Sequence, residues 1–133
     1  MDFPNNPADG DLFRIGKQRY IAAGGAWSKF DGETAVAAVA GGCDLAKSEF
    51  FTIAANGGTI TVSVTNPLPS GKYDEFMIEL VFSQATNITW PASFKWSKGT
   101  PPTFPTSGRT TIGGYTRDGG ARYEMVVITD DSK

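Results

Sequence analysis

The sequence predicts an all-β protein: an antiparallel β-sandwich with a small three-stranded β-meander in front of it. Three observations lead there. Sixteen glycines and eight prolines accompany few leucines in 133 residues, which favours short strands and turns over helices. Two stretches alternate with the period of a strand: Thr59 to Thr65 sets Ile60, Val62 and Val64 against Thr and Ser, and Glu75 to Ser83 aligns Phe76, Ile78, Leu80 and Phe82. Turn signals separate runs at roughly eight- to twelve-residue spacing, as in a sandwich.

Residues 1–30 read as a separate small β module. Asp9-Gly10 is a turn, Leu12 to Ile15 a half-buried strand, Gly16-Lys17 a tight hairpin, and Arg19 to Ile21 the return. Ala23-Gly24-Gly25 turns again into Ala26 to Phe30. A meander this small is not stable alone, so Phe3, Phe13, Tyr20, Trp27 and Phe30 need cover from the rest of the chain or from a neighbouring subunit. Residues 31–42 read as a linker, in which Ala35 to Ala40 suits a short helix or an extended strand and Gly41-Gly42 suits a hinge.

The main domain is expected over residues 43–133. Phe50 to Ile53 is a strand, and Asn56-Gly57 is the strongest hairpin signal in the chain. On Glu75 to Ser83 the second face carries Met77 and Val81 around Glu79, as an inner strand or an oligomer contact would. Ile88 to Trp90, Phe94 to Trp96, Thr110 to Thr116 and Arg122 to Thr129 complete the strands, and the last again has two apolar faces. Asp130 to Lys133 reads as a solvated tail.

Composition bounds the function. The net charge of −2 offers no basic field for phosphates, so nucleic acid is not an expected partner. No apolar run of about 18 residues is present to span a membrane, and the N-terminus has neither the basic start nor the apolar core of a signal peptide. A single cysteine, Cys43, excludes an internal disulfide and reads as a buried small side chain. With no histidine, the usual general base and the commonest metal ligand are missing. There is no Gly-x-Ser-x-Gly elbow and no phosphate-binding Gly-x-x-x-x-Gly-Lys. The expectation is a protein that is not an enzyme, with no catalytic residues, no metal and no cofactor. Asp118-Gly119-Gly120 lacks the oxygen count of a calcium loop and reads as a hairpin turn. The adjacent carboxylates Asp74-Glu75 and Asp130-Asp131 point to opposite sides of an extended chain and read as solvated surface.

The densest chemistry lies between Asn87 and Gly120. Trp90 is pushed into extended backbone by Pro91, and Phe94 and Trp96 point the same way while Lys95 and Ser97 point the other. Gly99 and Pro101-Pro102 stop the strand, and Pro105 keeps the next few residues stiff and open. The pattern Trp-Pro-x-x-Phe-x-Trp-x-x-Gly-x-x-Pro, with Asp118-Gly119-Gly120 after it, resembles a β domain of bacteriophage tail fibres and other virion appendage proteins, from about Asp44 to Val127. The resemblance implies a virion structural protein made in the host cytoplasm, a homotrimer that contacts other tail or capsid proteins. It implies a tail, tail-tip or fibre component with a host-attachment role, or alternatively a capsid decoration or head-fibre protein. Residues alone leave a rival of another class, a free carbohydrate-binding module.

The aromatics Trp90, Phe94, Trp96, Phe104 and Tyr115 read first as core or subunit seam. Read as function, they form a platform for sugar rings on a host surface, with Arg109, Arg117, Asp118 and Arg122 as polar partners. The candidate surface, glycan or interface residues are therefore Trp90, Trp96, Tyr115, Arg117, Asp118 and Arg122.

Overall fold

A computed structural model describes residues 3–30 and 35–132. The N-terminal meander consists of β1 (Leu12–Ile15), β2 (Gln18–Ala23) and β3 (Ala26–Phe30), antiparallel throughout. Its turns fall at Gly16 and Gly24-Gly25, where positive φ makes the tight reversal free of strain. Phe3 lies over its aromatic face, with ring centroids 4.8 Å from Tyr20 and 5.8 Å from Phe13, and the Trp27 indole donates to the Pro4 carbonyl. Those rings thus cluster on one another, with Phe3 exposed and the others half-buried.

The remaining strands are β4 (Val36–Ala37), β5 (Gly42–Asp44), β6 (Phe50–Ala55), β7 (Thr59–Thr61), β8 (Ser63–Thr65), β9 (Asp74–Phe82), β10 (Asn87–Thr89), β11 (Phe94–Trp96), β12 (Gly108–Thr116) and β13 (Tyr123–Ser132). A six-stranded sheet runs in the order β11-β13-β12-β9-β6-β4. The pairs β10-β7 and β5-β8 form a second layer. Between the layers, Phe51, Ile53, Phe76, Ile78, Leu80, Ile112, Tyr123 and Met125 meet Cys43, Leu45 and Val62. The fold is therefore all-β, as the residue pattern predicts.

The pairing differs from a wholly antiparallel sandwich. β9-β12 and β12-β13 are antiparallel, but β6-β9, β4-β6, β11-β13 and both small pairs are parallel, so the main sheet is mixed. Asn56-Gly57 explains why. It makes a tight reversal, with φ of 103° at Gly57, but β6 and β7 do not pair with each other. The chain arches from the main sheet into the covering layer. A second arch leaves β9 at the same level, and the two are tied: Ser83 N donates to Ala55 O at 3.1 Å, Gly57 N to Thr86 Oγ1 at 2.8 Å and Asn87 N to Gly58 O at 2.8 Å. Stacked arches make β6-β9 and β7-β10 parallel. The run from Thr59 to Thr65, expected as one strand, breaks at Val62 because β7 pairs with β10 and β8 with β5.

Three further expectations are corrected. The stretch read as a linker contributes to the main domain: β4 edges the large sheet, and a short 3₁₀ turn at Val39–Gly41 leads into β5. Its residues 31–34 lie outside the described residues. The C-terminal tail is strand as far as Ser132. Asp74 is not solvated surface but 0% exposed. Its oxygens accept from Arg14 at 3.0 and 3.2 Å, from Leu68 N at 2.9 Å and from its neighbour Glu75 N at 3.1 Å. Arg19, also buried, donates twice to Leu45 O, at 2.7 and 2.9 Å. Two buried guanidinium groups thus fasten the meander to the main domain.

Candidate functional site

The hairpin loop between β12 and β13 is organised by one hydroxyl and one carboxylate. Thr116 Oγ1 donates to Asp118 Oδ1 at 2.9 Å and accepts from Asp118 N at 3.3 Å and Gly120 N at 3.1 Å. Asp118 Oδ1 also accepts from Arg122 N at 3.0 Å. The Thr116 hydroxyl first, and then the Arg122 amide, hold the Asp118 carboxyl below its ordinary pKa. Asp118 is thus the organiser of the turn that Asp-Gly-Gly announces in the sequence. The loop leans on the 67–71 segment, where Gly71 N donates to Arg117 O at 2.9 Å.

These contacts frame a shallow polar cleft of about 440 Å³ between Ser70-Gly71 and the hairpin, lined by Tyr115, Arg117, Asp118, Arg122 and Glu124. Four of the six sequence candidates therefore converge: Tyr115, Arg117, Asp118 and Arg122. The Arg122 guanidinium pairs with Glu124, whose hydrogen bond and charge raise the arginine pKa further. Arg117 is exposed and, among the described residues, carries no ion pair. Tyr115 packs against Tyr73, with ring centroids 5.7 Å apart. The Tyr73 hydroxyl donates to Glu75 at 2.7 Å, and that bond to a carboxylate raises the phenol pKa.

Trp90 and Trp96 are elsewhere. Both are half-buried against the core cluster, with Trp90 5.2 Å from Trp96, 5.7 Å from Phe94 and 5.9 Å from Phe104 between ring centroids. Trp96 lies on the edge strand β11, and neither tryptophan lines the cleft.

Next to the cleft lies a feature only half visible in the sequence. Among the described residues, nothing covers the outer face of the large sheet around Met77, Val126 and Ile128. Met77 is 41% exposed, Val126 58% and Ile128 49%, and they surround a trough of about 350 Å³ above Gly113-Gly114. Gly113 pairs with Met77 on one side and Val126 on the other, so the missing side chain is the floor of the trough. Ile128 leans over it: a Cβ at Gly113 would lie 3.0 Å from Ile128 Cδ1. The doubled apolar faces of β9 and β13 signal this surface in the sequence; the contribution of Tyr73 and the two glycines carries no such signal.

Burial pushes the Cys43 thiol up to about 12, and burial together with nearby Asp74 pushes the Tyr123 phenol up to about 12. Among the described residues, no three carboxylate or thiol groups are gathered to hold a metal ion. No described helix is long and apolar enough to cross a membrane. Compared with family models, curated proteins and solved structures, the chain shows no significant match.

Proposed function

We propose that the chain is a structural subunit of a bacteriophage particle, a tail or tail-tip component that assembles through its uncovered sheet surfaces. One observation carries the assembly half of this reading: the exposed apolar face around Met77, Val126 and Ile128 on an otherwise well-packed sandwich. Contiguous apolar surface of this kind marks interaction sites. The particle half rests on the resemblance of the Trp90-to-Gly120 pattern to virion appendage domains, which also implies a homotrimer. The polar cleft of Tyr115, Arg117, Asp118 and Arg122 supports a host-attachment role, because an arginine without an ion pair beside an aromatic pair suits an acidic sugar.

Capsid decoration is the second position on the particle. A free carbohydrate-binding module is disfavoured by the half-buried packing of Trp90 and Trp96 against the core cluster. Antibody-gold labelling of purified phage particles tests the proposal. Gold at the tail tip is the expected result, and gold over the head replaces the tail with the capsid. Particles without label overturn the virion reading.

A further inference from the structure

A groove of about 660 Å³ runs between β1 and the 66–72 segment. Its lining takes in consecutive residues, Leu12 through Gly16, so it follows the backbone edge of β1 rather than one face. That edge is open: β1 pairs only with β2 among the described residues. Ala22 N donates to Asp11 O, which marks Asp11–Ala22 as a hydrogen-bonded pair. By the alternation of an antiparallel ladder, Phe13 also faces β2, while Leu12 and Arg14 direct their N–H and C=O groups into the groove. Leu12, Ile15, Pro67, Leu68 and Pro69 supply apolar walls, and Lys72 stands exposed at the rim, without an ion pair among the described residues.

A second open edge lies on β13. β11 pairs with it only through Tyr123–Met125, so from Val126 to Ser132 the side away from β12 has no strand among the described residues. This stretch is Val-Val-Ile-Thr and then Asp130-Asp131, exposed throughout. Its carboxylates disfavour pairing with another copy of itself and complement Lys72.

We propose that the β1 groove receives the Val126–Ser132 edge of a second copy of this chain, which adds as a fourth strand to the meander sheet. The acidic end of that edge is far from the groove of its own chain. Thr116 pairs with Asp74 at the end where the groove lies, and Arg109 pairs with Ser132 at the other. The seven residue steps from Arg109 to Thr116 put the Asp130–Ser132 end roughly 23 Å from the groove at 3.3 Å per residue. The contact joins two different surfaces of the chain, and when repeated head-to-tail it closes into rings or grows into filaments. This inference names the partner for the assembly role proposed above and rests on that role only for its biological setting.

The test uses the full chain at low salt. Light scattering at rising concentration should show association, and hydrogen exchange should show the Leu12 and Arg14 amides slowing with it while Phe13 stays unchanged. Lys72→Glu alone, and Asp130→Lys with Asp131→Lys together, should each weaken association about ten-fold through like-charge contact. An equimolar mixture of the two variants should restore it, since each reversed tail then meets a complementary groove. A monomer at every concentration overturns the proposal. So does association without protection at Leu12 and Arg14, or a mixture that fails to recover. Unlabelled particles together with intact head-to-tail assembly would remove the virion reading and leave this contact standing.

Discussion

Replacing Asp74 by asparagine puts the attachment of the meander to a direct test. Arg14 keeps its place in the fold with a side chain only 8% exposed, and it loses the carboxylate that meets two of its nitrogens. The amide oxygen of the new asparagine can still accept from Leu68 N, but its NH2 then faces the Glu75 amide and Arg14 Nη2, so the change removes the charge and an acceptor together. Leaving one partner of a buried ion pair uncompensated costs about 3–5 kcal/mol. Against a total stability on the order of 10 kcal/mol, a loss of about 4 kcal/mol lowers Tm by about 15 °C for a chain of this length. Arg14→Met is milder, because Asp74 retains two backbone amides and Lys17 at 3.6 Å. The double variant removes both charges and should cost less than the sum of the singles by about 2 kcal/mol. Urea denaturation monitored by tryptophan fluorescence reads all four chains, with Trp27 in the meander and Trp90 and Trp96 in the sandwich. A loss below about 1 kcal/mol for Asp74→Asn, or strict additivity in the cycle, would refute the claim that this pair fastens the module.

Four further outcomes are expected from the same structure. Gly114→Val drives a Cβ onto the Met125 sulfur and to 3.2 Å from the Phe76 ring, and should cost about 1–3 kcal/mol in thermal denaturation; an unchanged Tm would mean the sheet has slack there. Trp90→Ala should cost about 2–4 kcal/mol, because the ring packs on Phe94, Trp96 and Phe104; a neutral result would make Trp90 a surface residue. Cys43 should resist thiol reagents until the chain unfolds. Its folded pKa, about 12, lies above its ordinary value of 9.0, so its contribution is complete below pH 9 and is lost as pH rises towards 12; Cys43→Ala should flatten stability across that window. Asp118 has the opposite sign: its lowered pKa stabilises above the ordinary carboxylate value of 3.8 and is lost as pH falls through the folded pKa. Asp118→Asn should remove that acid dependence and speed hydrogen exchange at Arg122 N; unchanged exchange would show that the loop holds without the charge.

The meander was legible almost residue by residue, because its strands are joined by turns so short that each strand pairs with its chain neighbour. The Asp118 turn and the strand Phe94–Trp96 were legible for the same local reason. Four of the candidate residues gathered in one cleft because they sit on a single hairpin loop. Asn56-Gly57 was legible as a reversal and not as an arch, since both demand positive φ and only the long-range tie to Ser83–Asn87 decides which strand is the partner. Asp74 read as surface because its partner, Arg14, lies sixty residues upstream. The amino-acid order by itself determined strand period, turn positions and the supply of aromatic core, all of which depend on neighbours in the chain. The mixed sheet, the buried ion pair and the uncovered face were decided only in three dimensions, where burial and charge pairing act between residues that the chain keeps far apart.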